Sequence, residues 1–330
     1  MLRTLFVDDF APWEKEYLLP FAHKMTQELE GRLEVVDWGS TNRRLESPVV
    51  WILARNWRKA LTRLRVTPKS GRVFVSVINQ SVGNDSAFLA FWRRYFAALP
   101  KRVTLISHNP LTHRFLREME GVDAQQLVDL PLPYPDFVQF GTRSEVPSQI
   151  VGTLTPLDGN ANLNFLILVA HRLLHKNPLL RFRVLGDGPL RGHLTKMATL
   201  LQLGGRFDVS PVARLADIVQ WDAFIFAPLR CDHLIAPLSG IAARVPTVCA
   251  ETPGMGEWLS GLAVPFTPLF DTEAMAKGVE ELLTSAPARS HNRLMLGEGL
   301  ASRLATSRVA TLYEKEMGIQ ALVLRDRAVA

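Results

Sequence analysis

Short apolar runs alternate along the chain with longer segments in which apolar residues recur every three or four positions. This alternation is typical of parallel α/β proteins, because a helix covers the sheet between successive strands. In the first part of the chain, the apolar runs predict strands at 2–7, 33–36, 49–53, 72–78 and 103–107. Helical spacing between them is clearest over 14–30 and over 86–99, where Pro100 ends the helix.

A stiff, proline-rich segment interrupts the alternation. Pro131-Leu132-Pro133-Tyr134-Pro135 cannot pair as a central strand, because proline has no backbone N–H to donate, and a polar run continues to Pro147. Beyond it the pattern predicts strands at 150–154, 180–185, 207–209, 223–226, 246–249 and 264–267, helices at 162–175, 189–203 and 272–283, and a helical tail at 290–317. We therefore predict an N-terminal domain at 1–147, a second domain at 148–300 and a segment at 301–330 whose helix packs back toward the first domain.

Composition places the chain among soluble globular proteins. Of its 330 residues, 47% are hydrophobic and 21% are charged, which supplies a large core and excludes a disordered chain. No apolar run approaches the ~20 residues that span a bilayer. The first predicted strand runs directly into Asp8 and Asp9, without the cleavage region of a signal peptide. We therefore expect a cytoplasmic protein, with peripheral attachment to the inner face of the membrane as one alternative.

Metal and redox chemistry have little support in the sequence. The two cysteines, Cys231 and Cys249, are too few for a disulfide framework or a thiolate zinc site. His171 and His175 have the spacing of a metal pair on one helix face, but no carboxylate lies near them in sequence. We therefore predict no metal site and no resident cofactor.

Positive charge is concentrated in one region. The net charge is only +6, but the segment 42–117 contains many lysines and arginines and only two acidic residues, Glu46 and Asp85. The helix predicted there carries an aromatic face and, beside Trp92, the basic residues Arg93 and Arg94. It is interpreted either as an interfacial helix that binds an acceptor or an anionic membrane, or as a core helix with a solvated basic face. Nucleic acid is the least favoured partner, because no nucleic-acid-binding motif accompanies the charge.

Polar residues at two strand ends are candidates for chemistry. Asp9 follows the first strand and could act as a general base toward an acceptor hydroxyl, although an aspartate here could equally cap a helix. His108 follows the strand at 103–107 and could contact the donor or the acceptor, or act as a base. The alternative is a loop residue at the start of the helix that Pro110 begins.

From Ile150 onward, several segments together resemble one protein family. They are Val151-Gly152-Thr153-Leu154-Thr155-Pro156-Leu157-Asp158-Gly159, Phe182-Arg183-Val184-Leu185-Gly186-Asp187-Gly188-Pro189-Leu190, Trp221-Asp222-Ala223-Phe224-Ile225-Phe226-Ala227-Pro228, 237–250 and Pro253-Gly254-Met255-Gly256-Glu257. In this order and spacing they resemble the C-terminal, nucleotide-sugar-binding domain of GT-B glycosyltransferases, within the retaining group that carries a paired-glutamate motif. The resemblance covers about half of the chain.

The resemblance implies a fold, a donor site and an activity. The fold would be α/β of the GT-B type, with two Rossmann-like domains facing across a cleft. The residues implied in donor binding are Gly152, Thr153, Gly186, Asp187, Gly188, Val212, Arg230, Ser239 and Gly240. The implied activity moves a sugar from a nucleotide-sugar donor to a glycan or lipid-linked acceptor in cell-surface polysaccharide synthesis.

The sequence departs from the family at charged donor-site positions. Thr153 stands where the family has arginine, Asp158 where it has lysine, and Cys231 and Ser239 where the glutamates fall. The glycine turn near the N-terminus is replaced by residues 10–13. Losing four charge-assisted contacts, at ~1–3 kcal/mol each, would cancel most of a micromolar affinity of about 8 kcal/mol.

These departures leave two hypotheses open. One is a divergent glycosyltransferase in which other residues, such as Arg230, restore positive charge near the diphosphate. The other is a catalytically inactive pseudo-glycosyltransferase that stabilises a partner glycosyltransferase or binds a glycan.

Overall fold

The computed structural model contains two units, each with its own parallel sheet. It describes residues 2–6, 10, 14–19, 33–37, 49–54, 60, 63–64, 67, 69–77, 94–119, 121–132, 146–212, 214–230, 234–260, 262, 264–304 and 306–317. The first unit comprises Met1–Pro135 together with Leu304–Ala330, and the second comprises Asp136–Arg303. The two sheets confirm the predicted α/β class.

Within the described residues, the sheet of the first unit has six parallel strands in the order β2-β1-β3-β4-β5-β6. The strands are β1 (Leu2–Phe6), β2 (Leu33–Asp37), β3 (Val49–Ala54), β4 (Arg72–Val77), β5 (Val103–Ser107) and β6 (Leu127–Asp129). Every residue of β3 is buried. The sequence of β3 is a continuous apolar run because a central parallel strand is covered on both faces.

Helical residues of the first unit include 14–19, 94–97 and helix α1 (Pro110–Arg114). Asn109 caps α1, because its side chain accepts a hydrogen bond from the backbone N–H of Thr112, and Pro110 occupies the first turn. A π-helical turn, Phe115–Met119, follows directly. The cap fixes where the chain turns after β5, and therefore where His108 lies.

The last helix that the structure describes belongs to the first unit. The tail that was predicted as one helix forms two, α7 (Ala286–Leu304) and α8 (Thr306–Met317). The ring of Tyr313 on α8 lies 4.9 Å from that of Trp51 on β3, and both side chains are fully buried. Arg72 also donates to the backbone carbonyl of Met317 at 3.2 Å. These contacts join α8 to β3 and β4.

The sheet of the second unit is also parallel, in the order β12-β11-β10-β7-β8-β9. Its strands are β7 (Ile150–Leu154), β8 (Arg181–Leu185), β9 (Phe207–Ser210), β10 (Ala223–Phe226), β11 (Thr247–Ala250) and β12 (Phe266–Thr267). Read from β9, this is the order of a dinucleotide-binding sheet. The order reverses between β7 and β10, and open α/β sheets bind ligands beyond the carboxyl ends of strands at such a point.

Helices cover the second sheet. They are α2 (Leu163–Lys176), α3 (Arg191–Leu200), α4 (Ile235–Ala242), α5 (Met255–Trp258), α6 (Thr272–Thr284) and α7. Apolar residues of α2 and α6 join the strands in one core, whereas every residue of α4 is buried. None of the helices that the structure describes is both long and apolar enough to cross a membrane.

Candidate functional site

Two glycines, Gly186 and Gly188, allow the loops that follow β7 and β8 to pack closely against each other. A Cβ atom on Gly186 would lie 1.9 Å from the carbonyl oxygen of Thr155, and one on Gly188 would lie 2.5 Å from that of Leu157. The amide of Leu157 donates to the carbonyl of Asp187 at 3.0 Å, and Gly188 has a φ of +155°. Only glycine allows this approach of two backbones. The turn at 186–188 therefore lies directly against 155–157, at the carboxyl edge of the sheet.

The next loop, 158–162, is held by hydrogen bonds to the segment after β10. The backbone amide of Asn160 donates to Asp158 Oδ1 at 2.9 Å, which closes the turn. Asn160 Nδ2 then donates to the carbonyl of Arg230 at 3.1 Å, and the amide of Leu229 donates to the carbonyl of Asn160 at 2.9 Å. The loops beyond β7 and β10 therefore meet at the point where the strand order reverses.

The N-terminus of α2 begins at this loop without a side-chain cap. Asn162 adopts a left-handed conformation, with φ 51° and ψ 44°, and its side chain makes no cap hydrogen bond. The first amides of a helix have no acceptor within the helix and carry partial positive charge, which favours an anion. Two buried atoms nearby, Asn160 Oδ1 and Asn162 Nδ2, have no hydrogen-bond partner in the described part of the chain. Asn160 is only 8% exposed.

A pocket of about 250 Å³ opens at the N-termini of α2 and α3. It is lined by Asp158, Gly159, Asn162, Leu163, Asn164, Leu190, His193 and Leu229. His193 Nε2 lies 3.0 Å from Asn164 Oδ1 on the pocket wall. Among the described lining residues there is one carboxylate and no lysine or arginine. The pocket thus combines a helix N-terminus with the negative charge of Asp158.

Other predicted donor residues on β7 and β9 lie in or beside the core. A Cβ atom on Gly152 would lie 2.6 Å from the Trp221 ring, so contact with that buried ring accounts for this glycine. Thr153 is 1% exposed inside the same strand. Val212 is half-buried beyond β9, where the amide of Gly186 donates to the carbonyl of Ser210 at 2.9 Å.

Ser239 and Gly240 lie inside helix α4 rather than at its start. Ser239 Oγ donates to the carbonyl of Ile235 at 2.8 Å, and a Cβ atom on Gly240 would lie 2.7 Å from the Phe224 ring. Amides beyond the first turn of a helix are used by the helix itself. The structure therefore gives both residues a packing role, which differs from the donor binding that the resemblance implies for them.

In the first unit, His108 is buried at the carboxyl end of β5. Its Nδ1 lies 2.8 Å from the carbonyl oxygen of Leu130. Because a carbonyl only accepts, Nδ1 carries the proton and Nε2 is left as an acceptor. Nε2 is buried and has no hydrogen-bond partner among the described residues. Burial lowers the pKa of His108 to about 4, against a smaller raising effect of the Leu130 hydrogen bond, so the ring is neutral at pH 7.

Several predicted residues lie outside the described part of the chain. They are Asp9, Trp92, Arg93, Cys231 and residues 11–13. Arg94 is described and is exposed on the helical segment 94–97, while Phe96 beside it is buried. Arg230 is half-buried after β10, with its carbonyl bound to Asn160.

The histidine pair lies on the outside of the second unit. His171 and His175 line an open groove of about 800 Å³ between α2 and α6, with ring centroids 6.3 Å apart. Lys176 and Glu280 pair across this groove at 2.9 Å. Within the described residues, no three histidine, cysteine or carboxylate side chains are grouped to hold a metal ion.

The sequence interpretation missed polar residues in and beside the pocket. Asn162 and His193 line it, Asn160 lies in the same loop as Asp158, and none of the three is among the predicted site residues. The available signal was Asp158-Gly159-Asn160-Ala161-Asn162, a polar turn placed directly before an apolar helix. The pairing of His193 with Asn164 joins two helices and has no local sequence signal.

Comparison with known proteins identifies the architecture. No protein-family model and no curated protein sequence matches the chain. Among solved structures, Anabaena HepE in complex with UDP and glucose matches with a TM-score of 0.72 and 11% identity, over 96% of this chain and 99% of that chain. A glycosyltransferase from Rickettsia africae matches with a TM-score of 0.65 and 10% identity, over 96% of this chain and 98% of that one.

A third similar structure is larger than this chain. TarM from S. aureus, in complex with fondaparinux, α-GlcNAc-glycerol and UDP, matches with a TM-score of 0.63 and 11% identity over 81% of this chain. This chain spans 55% of the TarM chain. The chain therefore has the GT-B fold, as the sequence resemblance implies.

Proposed function

We propose that the chain is a glycosyltransferase that moves a sugar from a nucleotide-sugar donor to a glycan or lipid-linked acceptor. The observation that carries the proposal is the pocket at the N-terminus of α2, at the strand-order reversal of a GT-B sheet. HepE and TarM have been solved with UDP, which supports a uridine nucleotide as the first donor to test.

In this proposal the donor diphosphate lies at the carboxyl edge of the second sheet. The first amides of α2 face its oxygens, and the turn at 186–188 lets backbone approach without side chains in the way. Arg230 supplies a cation from the loop after β10, and Val212 lies on the side of the base. Such fixed donors act on the charge that develops on the leaving phosphate as the sugar departs.

His108 stays a predicted contact of the donor or the acceptor. A general base works best when its pKa is near the operating pH, and the pKa of His108 is lowered to about 4. A neutral ring whose Nε2 only accepts is suited to orienting a hydroxyl rather than removing its proton. Asp9 stays the predicted general base.

A second candidate function is non-catalytic binding within the GT-B fold. Asp158 lines the pocket where the resemblance implies a lysine, and the described lining residues include no lysine or arginine. A carboxylate there opposes a bare diphosphate. In this alternative the chain binds a glycan or stabilises a partner glycosyltransferase.

Calorimetric titration of the full chain with UDP, other nucleoside diphosphates and their sugars separates the two candidates. The proposal expects saturable binding of one nucleotide in a magnesium-containing buffer. Asn164→Trp should abolish it, because Asn164 is exposed and lines the pocket. Thr199→Trp is the matched control, since Thr199 is exposed on the last turn of α3 and is not part of the lining. The absence of binding by every nucleotide would favour the non-catalytic candidate.

A further inference from the structure

We propose that His171 and His175 form a surface site on helix α2 for Zn²⁺ and chemically similar divalent transition-metal ions. The site shares no lining residue with the proposed nucleotide pocket. The sequence predicts no metal site, since no carboxylate lies near this pair along the chain. The structure changes that expectation for these two residues, because it shows both imidazoles reachable from a groove and without protein partners.

The first reason is the spacing of the two rings. Residues four apart on a helix lie one turn from each other on the same face, as in helical zinc motifs. The ring centroids of His171 and His175 are 6.3 Å apart. Two imidazoles that bind one zinc ion at about 2.0–2.1 Å have centroids roughly 5 Å apart. Side chains that are at least partly exposed change rotamer readily, so a shift of about 1 Å brings both rings onto one ion.

The second reason is that both imidazoles are available. Within the described part of the chain, neither ring makes a hydrogen bond or an ion pair. His175 is exposed and His171 is half-buried, and both line the open groove between α2 and α6. A metal ion therefore reaches both rings from solvent, and its binding breaks no hydrogen bond of either one.

The third reason is the charge around the groove. Arg172 Nε donates to Thr272 Oγ1 at 3.0 Å, and Lys176 Nζ lies 2.9 Å from Glu280 Oε1. Both cations of the α2 wall are therefore held toward α6. The other charged residues that line the groove are Lys277 and Glu273. Cations and carboxylates thus nearly balance, so no strong positive field opposes a divalent ion.

The pair alone can hold such an ion. Imidazole nitrogen suits zinc, copper and nickel, and water fills the coordination positions that the protein leaves open. The site therefore needs no third protein ligand, and none is grouped with the pair within the described residues. The ion would join two successive turns of α2 near its C-terminal end and would keep open positions for water or an added ligand.

The first test is calorimetric titration of the full chain with zinc chloride. His171→Ala and His175→Ala should each remove one equivalent of bound zinc or weaken its affinity at least about tenfold. His291→Ala is the matched control and should leave zinc binding unchanged. His291 is exposed on α7 and likewise has no partner within the described residues, but no histidine lies one turn from it.

The second test separates the spacing of the histidines from their number. Arg172→His combined with His175→Ala keeps two imidazoles on α2, but adjacent residues of a helix do not face each other. This double variant should bind zinc as weakly as His175→Ala does.

Thermal unfolding supplies the folding control. In EDTA the unmodified chain and the histidine variants should melt at the same temperature, because neither ring has a partner to lose. Zinc at about one hundred times its Kd should raise the Tm of the unmodified chain and of His291→Ala by about 5 °C or more. The same zinc concentration should not raise the Tm of His171→Ala or His175→Ala to that extent.

Three results would overturn the site. They are zinc binding that is unchanged in both His171→Ala and His175→Ala, full binding by the double variant, and no measurable binding to the unmodified chain at millimolar zinc. None of these results bears on the proposed nucleotide site, because the histidine groove is lined by other residues.

Discussion

Gly152 and Gly186 were both predicted to contact a donor, but their surroundings differ. Gly152 lies in mid-strand against the Trp221 ring, whereas Gly186 lies at the sheet edge against the backbone of Thr155. The sequence shows that glycine has no side chain at these positions. It does not show which neighbouring group occupies the space beside each glycine. A glycine of the donor site was therefore predictable from sequence only where a tight backbone turn requires glycine, as at 186–188.

Gly186→Ala is expected to destabilise the second unit. The added Cβ would lie 1.9 Å from the Thr155 carbonyl oxygen, so the two loops must separate. We expect a loss of about 2 kcal/mol in the free energy of unfolding, measured by urea denaturation. Gly192→Ala is the control, because nothing lies within 4 Å of its Cβ position on α3 and the change should be neutral or stabilising. Equal effects of the two substitutions would contradict the close approach.

His108 is expected to make stability depend on pH. Its pKa is lowered from 6.5 to about 4 in the folded chain, so the unfolded chain binds the proton more readily. Stability is therefore fully present above pH 6.5 and is lost as pH falls toward 4, by up to about 3 kcal/mol. The measurement is urea denaturation across this range for the unmodified chain and for His108→Gln. A pH dependence that is identical in the variant would show that His108 does not cause it.

At the scale of elements, helix α4 shows which features of a helix a hydrophobic pattern predicts and which it does not. Its residues are apolar or small, and every one of them is buried. The resemblance nevertheless implies donor binding by Ser239 and Gly240, and the sequence does not show where the helix begins. It begins at Ile235, so both residues fall beyond the first turn. Helix boundaries depend on capping and tertiary contacts, which a hydrophobic pattern does not contain.

The contact between α8 and β3 is expected to carry much of the stability of the first unit. Tyr313 is fully buried against Trp51, so Tyr313→Ala should leave a cavity and cost about 3–5 kcal/mol. Tyr313→Phe keeps the ring and should cost no more than about 1 kcal/mol, because only the hydroxyl is removed. Denaturation followed by the fluorescence of the tryptophans measures both. Similar losses in the two variants would mean that the hydroxyl, and not the ring, stabilises α8.

At the scale of the whole molecule, the alternation of strands and helices was sufficient to predict two parallel sheets. It does not contain the strand order, which places the reversal between β7 and β10 and thereby the pocket. Strand order depends on which crossover covers which face, and those contacts lie far apart in sequence. The fold class was therefore predictable, whereas only the tertiary fold brings His193 beside Asn164 at the pocket.

A nucleotide bound at the proposed site should slow backbone hydrogen exchange in the loops that surround that site. Hydrogen exchange of the full chain, with and without saturating UDP and magnesium, should show slower exchange in peptides covering 155–165 and 186–194. The groove between α2 and α6 is the internal control, because its residues are not part of the proposed site. Protection confined to that groove would place the nucleotide elsewhere and contradict the proposed site.

The assignment of α8 to the first unit has a consequence for synthesis on the ribosome. Residues of β3 and β4 emerge early, but Trp51 is covered by Tyr313, which emerges more than two hundred residues later. The second unit is continuous in sequence and has its own core, so it can complete folding first. During translation the nascent first unit therefore exposes an apolar surface on its sheet, a surface that chaperones recognise, until α8 leaves the exit tunnel.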